Sequence, residues 1–326
     1  MRWYAGVDVS KQHLHLSIRT EESEGPIQTV SVQNTDEGWA KLIDHLPENH
    51  SRGRVGFEAT GGYERGCVKA ITDRTEIPTV IVNPHRVVSF ARSKGLRTKT
   101  DEMDANTISH YMETHEPDPS ENPNSARSRL KELTRHLEHL KEKRGEEKTY
   151  KEKIFDEELA ETIDETIEIY DEQIETVKEK IKDHIDEHPE LQDSVEFMVS
   201  ITGLGEETAR ALLAEMQDPL NPEELDPKSE VAHSGLAPEH RQSGSSLDTS
   251  SMSRRGNARI RKLLYYPTLA AIRHNPVIKD FYERLIGRGK EKMVAVVACM
   301  RKMLHIVVGV LKNQAEFDPN WEQKTA

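Results

Sequence analysis

Trp3-Tyr4-Ala5-Gly6-Val7-Asp8-Val9 and, after four residues, Leu14-His15-Leu16-Ser17-Ile18-Arg19-Thr20 alternate apolar with polar or small side chains at the two-residue period of β-strands. So short a gap suits an antiparallel pair. Residues 28–32 add a third strand. Residues 36–46 then recur at helical spacing with Asp36 as N-cap. Residues 54–57 read as a short strand ending in Glu58, 63–72 as a helix and 78–82 as an apolar buried strand. Hairpin strands followed by alternating helices and strands predict a mixed sheet carrying helices, an α/β domain over residues 1–125.

The acids of this domain fall at telling positions. Asp8 lies near the end of the first strand and Glu58 at the end of a later one, where open sheets hold their ligands. Asp101 and Asp104, three apart on a predicted helix, project from one face. Four converging carboxylates repel one another unless cations neutralise them, and hard oxygen donors of this kind suit Mg²⁺ or Mn²⁺. Two such ions can activate an attacking oxygen and stabilise a leaving oxygen in phosphoryl transfer. Singly, each acid also fits a structural role, Asp104 as a charge at a helix start and Asp8 as a turn former. Arg86, Arg92, Lys94, Arg97 and Lys99 form a nearby basic cluster suited to holding a nucleic-acid backbone.

The charge is unevenly spread. The 326 residues carry 45 Lys+Arg against 58 Asp+Glu, a net −13 that by itself argues against a nucleic-acid partner. Residues 130–190 hold 11 basic and 21 acidic side chains, whereas residues 228–312 hold 16 basic and 6 acidic. The C-terminal third, with Arg254, Arg255, Arg259, Arg261 and Lys262, therefore argues for such a partner. The overall acidity, with pI near 5.6, fits a salt-rich cytoplasm, where carboxylates favour solubility and phosphate contacts weaken. A melting temperature that rises from low to multimolar KCl is expected; a flat or falling curve counts against the idea.

Two cysteines, Cys67 and Cys299, cannot build a disulfide framework and read as buried residues of a protein in a reducing cytosol. The apolar stretch 293–311 is interrupted by Arg301, Lys302 and His305, which predicts a core helix rather than a membrane span. No signal-peptide pattern opens the chain. A cytoplasmic protein with no membrane partner, nucleoid-associated when acting, is the expectation.

Residues 126–190 read as a separate helical segment. Ile163, Ile167, Tyr170, Ile174, Val177 and Ile181 recur at alternating spacings of four and three, an a/d seam ended before Pro189. Leu130, Leu133, Leu137 and Leu140 start a similar seam, with Gly145 as a break. The segment is either a coiled coil joining subunits or a hairpin packed on its own domain. Residues 191–326 form a third, mainly helical domain. There the glycine-rich turn 200–205 opens a helix over 206–216, as a helix-hairpin-helix-like element for a DNA backbone or as a plain capped turn. After Pro219, Pro222 and Pro227 come Gly235-Leu236-Ala237-Pro238, Ser243-Gly244-Ser245-Ser246 and a basic helix over 254–264. A loop serine beside arginines can attack a phosphodiester while the guanidiniums hold the phosphate. From residue types alone such a stretch is usually just a loop, and Ser245 and Ser246 remain rivals to Ser243.

Gly6-Val7-Asp8-Val9-Ser10-Lys11, Glu58-Ala59-Thr60-Gly61-Gly62-Tyr63, Asn83-Pro84 and Gly95-Leu96-Arg97-Thr98-Lys99-Thr100-Asp101-Glu102-Met103-Asp104-Ala105 resemble the DEDD transposases of bacterial and archaeal insertion sequences. Gly235-Leu236-Ala237-Pro238, Ser243-Gly244 and Gly256-Asn257-Ala258-Arg259-Ile260-Arg261 look like the C-terminal transposase domain of the same family, with Ile260 where leucine is more usual. The resemblance implies a RuvC-like N-terminal domain of the ribonuclease H fold, with Asp8, Glu58, Asp101 and Asp104 as metal-binding carboxylates. It implies Ser243 as a nucleophile forming a covalent phosphoserine link to DNA. It further implies DNA element ends and targets as partners, a structured bridge RNA as guide, and a dimer or tetramer sharing active sites between subunits.

Other classes predict different behaviour. A RuvC-like nuclease or junction resolvase shares the carboxylates and does not need Ser243. An actin-like sugar kinase also begins with a strand like 3–11, but its further phosphate and adenosine loops are missing from the sequence. A non-catalytic coiled-coil adaptor would be indifferent to Asp8→Ala and Ser243→Ala.

Overall fold

A computed structural model describes the chain apart from residues 1, 49–51, 60, 96–100, 121, 123–124, 218, 243–247, 253–255 and 321–326; at 101–103 and 238–252 it describes the backbone alone. The chain divides into two compact units, Met1–Ser125 and Ala126–Ala326.

In the first unit, β1 (Trp3–Val9), β2 (His13–Thr20), β3 (Gln28–Gln33), β4 (Gly53–Glu58) and β5 (Thr79–Val82) form one sheet in the order β3-β2-β1-β4-β5. The pairs β1–β2 and β2–β3 are antiparallel, while β1–β4 and β4–β5 are parallel. Strand periodicity divides the core. Trp3, Ala5, Val7 and Val9 join Val55 and Phe57 against Leu42 of α1 (Asp36–Asp44) and Cys67, Val68 and Ile71 of α2 (Arg65–Arg74). Tyr4, Val80 and Val82 face the opposite way, onto Val87 and Phe90 of α3 (Pro84–Ser93) and Ile108, Tyr111 and Met112 of α4 (Asp101–His115). The N-cap of α1 is Thr35, whose hydroxyl accepts from the Gly38 amide at 3.3 Å, not Asp36. Asp36 instead contributes negative charge to the first turn. Helix α3 was not anticipated from periodicity; Asn83 caps it and Pro84 stands in its first turn.

Glycine sets how closely α4 lies on the sheet. A Cβ on Gly6 would stand 2.3 Å from both the Ala105 carbonyl oxygen and the Ser109 nitrogen, backbone atoms that cannot swing aside. On Gly56 it would meet the side chain of Met112 at 2.6 Å. Gly6→Ala is therefore expected to cost about 3 kcal/mol or more by prising α4 from β1, and Gly56→Ala less, because Met112 can change rotamer. Denaturant melts of the two variants check the order.

The second unit opens with α5 (Ala126–Lys151) and α6 (Glu157–Asp186), packed as a hairpin. Leu130, Leu137 and Leu140 share a core with Ile174, Val177 and Ile181, so the two seams pack within one chain. Arg144–Asp171 (2.5 Å) and Lys151–Asp164 (2.5 Å) link the helices further out. Gly145 does not break α5; the turn comes at residues 152–156, and Asp156 caps α6. Packing against α6 offsets the roughly 1 kcal/mol that a helical glycine costs. Tyr150, Phe155 and Leu159 stay exposed at the tip, Phe155 by 99%.

Then follow α7 (Pro189–Val199), α8 (Glu206–Glu215), α9 (Pro227–Ser234), the strands β6 (Pro238–Gln242) and β7 (Asp248–Met252), α10 (Ala258–His274), α11 (Pro276–Gly287) and α12 (Lys292–Asn313). Their core is continuous with that of the hairpin. Helix α12 has the length and apolarity of a membrane span, yet Cys299, Met303, Leu304, Val307 and Val308 lie buried in that core. Both cysteines are buried and unpaired.

Candidate active site

The register places two of the acids side by side. Val7 of β1 pairs with Phe57 of the parallel β4, so Asp8 and Glu58 are the next residues on neighbouring strands, about 4.8 Å apart at the backbone. They have the parity of Gly6 and Gly56, which face α4. The direction of α4 follows from its contacts. Tyr4 donates to Glu116 at 2.5 Å, just past the helix end, and Arg54 donates to the Glu116 and Pro117 carbonyls at 3.1 and 2.6 Å. Gly6 meets Ala105 and Ser109. Helix α4 thus runs antiparallel to β1, and its first turn, with Asp104 beside Ala105, lies toward Asp8. Arg19, buried on β2, fixes this setting through Glu113 (2.9 Å) and Asn106 (3.2 Å) of α4.

Asp8, Glu58 and Asp104 are half-buried at this end of the sheet. Asp101 starts the same helix, with only its backbone described. His15 stands opposite Asp8 in the β1–β2 register. Carboxylates on two strand ends and a helix start supply hard oxygen donors, the kind that suits Mg²⁺ or Mn²⁺. Arg86, Arg92 and Lys94 are exposed on and just after α3; Arg97 and Lys99 lie outside the described residues.

In the second unit, Ser243, Ser245 and Ser246, together with Arg254 and Arg255, also lie outside the described residues. Their frame is described. Strands β6 and β7 pair antiparallel from Pro238–Met252 to Gln242–Asp248, flanking the serines in sequence. Gly235, in the left-handed conformation at φ 69°, caps α9 and lies against Gly256, where a Cβ would meet the Gly235 nitrogen at 2.5 Å. Arg301 donates to the Leu236 carbonyl at 2.8 and 3.0 Å. The Asn257 amide nitrogen bonds the His233 carbonyl at 2.7 Å while its side chain caps α10.

Arg259, Arg261 and Lys262 of α10 have protein partners. Arg259 pairs with Glu138 and, at 3.0 Å, with Glu215; Lys262 pairs with Glu138 (2.6 Å) and Glu142 (2.5 Å). Arg261 donates to the Ser234 carbonyl at 2.9 Å. The acidic face of α5 thus meets the basic helix of its own unit.

Glu215, which sequence reasoning missed, is the hub of this arrangement. Its side chain is 1% exposed and accepts from Arg135 at 2.6 and 2.9 Å and from Asn257 at 3.0 Å, with Lys131 at 3.8 Å. Burial acts to raise its carboxyl, but the bonds from Arg135 and Asn257 and the Lys131 charge outweigh it and hold it down to about 2. An acid between the apolar Leu212-Leu213-Ala214 and Met216 was the available signal, since such an acid must find partners. Nearby Glu230 accepts from the Gln217 amide at 3.0 Å, and burial pushes its carboxyl up to about 7.

The glycine-rich turn before α8 has a packing role. Gly203, at φ 105°, lets the turn approach α10, where a Cβ would meet the Ala271 nitrogen at 2.9 Å. Glu206 and Glu207 fill the first turn of α8 and pair with Arg210 and Lys141, so the positive helix end already faces its own carboxylates.

The sequence model of the IS110-type DEDD transposases matches residues 5–160, and that of the transposase IS116/IS110/IS902 family matches residues 195–283. The pilin gene-inverting proteins of Moraxella lacunata and Moraxella bovis are each 28% identical over 321 residues, 97% of this chain and 97% of theirs. An uncharacterized insertion-element protein of Streptomyces coelicolor is 25% identical over 117 residues, 36% of this chain and 28% of its own length. The class is that of DNA transposases and recombinases, enzymes of phosphoryl transfer on DNA. Within it, this chain belongs to the IS116/IS110/IS902 family of transposases.

Proposed function

We propose that the chain is an insertion-sequence transposase acting as a site-specific recombinase, in which Asp8, Glu58, Asp101 and Asp104 hold divalent metal and Ser243 becomes covalently linked to DNA. The observation that carries the reading is the meeting of Asp8 and Glu58 on adjacent strand ends beneath the helix that bears Asp104, within a chain of a DEDD transposase family. Bound metal supplies positive charge that offsets the negative charge of the reacting phosphate and its oxygens.

In the proposed reaction Ser243 Oγ attacks the scissile phosphorus. The Oγ–P bond forms, the P–O3′ bond breaks, and the 3′-oxygen leaves as a hydroxyl. A 3′-hydroxyl of the exchanged strand then attacks the phosphoserine and returns the serine free, conserving the number of phosphodiester bonds. Arg254 and Arg255, which follow the serine and β7 in sequence, hold the phosphate; Arg86, Arg92, Lys94, Arg97 and Lys99 track the DNA backbone of the first unit's site. Arg259, Arg261 and Lys262 keep the α10 frame in place and contact phosphate at its edge. A structured bridge RNA reads the target and donor by base pairing, which leaves the protein mainly backbone contacts. Subunits join as a dimer or tetramer through the hairpin, whose tip presents Tyr150, Phe155 and Leu159.

The full-length likeness to two pilin gene-inverting proteins favours inversion as one product, when two sites lie head to head on one DNA. The test is strand exchange between two plasmids carrying the element ends, with the flanking RNA and Mg²⁺, omitting each in turn. Exchange that requires both is expected. Exchange without RNA removes the guide, and exchange in chelator removes the metal.

A further inference from the structure

We infer that His184, Glu187 and His188, at the junction of α6 and α7, form a binding site for one Zn²⁺ ion, independent of the carboxylates of the first unit. One ligand atom from each of the three lies within 4.8 Å of the other two. The spacing i, i+3, i+4 puts them on one face of a helical turn, and Glu187 keeps helical backbone angles (φ −75°, ψ −13°), so that face persists to the helix end.

The hydrogen bonds fix what each ring offers. His184 is 3% exposed, and its Nε2 lies 2.7 Å from the Ala126 carbonyl oxygen. A carbonyl only accepts, so Nε2 carries the proton and Nδ1 keeps a lone pair. That Nδ1 is buried and has no hydrogen-bond partner. His188 Nδ1 lies 2.7 Å from the His184 carbonyl, which places its proton there and leaves a lone pair on Nε2. The ring centroids are 4.4 Å apart, yet neither ring has a proton left for the other. Two imidazoles oriented by backbone carbonyls, lone pairs free, with a carboxylate beside them are the outer-shell arrangement of metal-binding histidines.

Two nitrogens and one oxygen favour Zn²⁺ over Mg²⁺. Three protein ligands leave a fourth position for water. Because His184 also holds Ala126, the first residue of α5, the ion ties the start of α5 to the junction of α6 and α7 and so staples the base of the hairpin. The spacing His184-Ile185-Asp186-Glu187-His188 was legible in the sequence and passed over within a run of charges.

The test uses untagged full-length protein, stripped with chelator and titrated calorimetrically with Zn²⁺ alone, alongside Glu187→Gln, His188→Gln and Asp8→Asn. One Zn²⁺ per chain is expected in the unaltered protein and in Asp8→Asn, with a melting temperature several degrees higher when loaded. Glu187→Gln and His188→Gln are expected to bind at least tenfold more weakly and to melt with the metal-free parent. Co²⁺ in place of Zn²⁺ should give the absorption of a tetrahedral site, lost in both variants. Glu187 is exposed, so its variant keeps the fold and reads binding alone. Equal affinity in His188→Gln, loss confined to Asp8→Asn, or no binding by the unaltered protein would each overturn the site.

Discussion

Asp8→Asn is expected to lower recombination by roughly 10³–10⁴-fold, the size of loss when one member of a catalytic group that acts as a unit is removed. The substitution keeps the shape of the side chain and removes its charge. Asp8 and Glu58 end adjacent strands, and in the proposed site their joint negative charge holds the cation, so Glu58→Gln and Asp104→Asn should each fall to a similar level. Double variants should lose little more than the single ones, because the site works only when complete. Thermal melts separate this from misfolding. Asp8, Glu58 and Asp104 are half-buried, outside the packed layer of Tyr4, Ile108 and Met112, and all three variants should melt within a few degrees of the parent. Recombination frequency of a reporter plasmid reads the effect. Activity within tenfold of the parent would remove these residues from the site.

Glu215→Ala should produce the largest loss of stability in the second unit, about 3–5 kcal/mol, because it leaves Arg135, Arg259 and Lys131 without their buried counter-charge. It should also slacken Asn257, which caps α10 and bonds Glu215 at 3.0 Å, and thereby the start of α10 that bears Arg259 and Arg261. The pH dependence has a definite sign. The carboxyl titrates near its ordinary 4.5 when unfolded and at about 2 when folded, so the folded state holds fewer protons between those values. Its stabilisation is present above about 4.5 and is lost as pH falls toward 2, about 3 kcal/mol in all. Urea melts at pH 7, 4 and 3 should show this acid slope in the parent and a shallower one in Glu215→Ala. A loss below about 1 kcal/mol at pH 7 would mean the ion pairs contribute little.

Much of the first unit was legible because its signals are local. The alternation of Trp3–Val9 marks a strand whose two faces enter two different cores, and the same parity aims Asp8 at α4. Helix α3 escaped because Val87 and Phe90 are its only fully buried side chains among the described residues, too few to build a helical period; Asn83 and Pro84 were its local mark. The hairpin seam was visible, but Gly145 misled, since a helix braced along one side tolerates a glycine that a lone helix does not. What no window of sequence could supply was pairing at a distance. Glu138 and Glu142 stand some 120 positions before Arg259 and Lys262, so an acidic helix and a basic one read as opposite surfaces when they are partners. The buried Glu215 was hidden for the same reason.

The account turns on Ser243, and a denaturing gel tests it most directly. Labelled element-end DNA, flanking RNA and Mg²⁺ are incubated with the unaltered chain, with Asp8→Ala and with Ser243→Ala, and the gel is read for DNA retarded by covalently bound protein. A protease-sensitive band with the unaltered chain, absent from both variants, is the expected result. Free cleaved DNA persisting in Ser243→Ala would contradict it and make the chain a metal-dependent nuclease in which the serine forms no link.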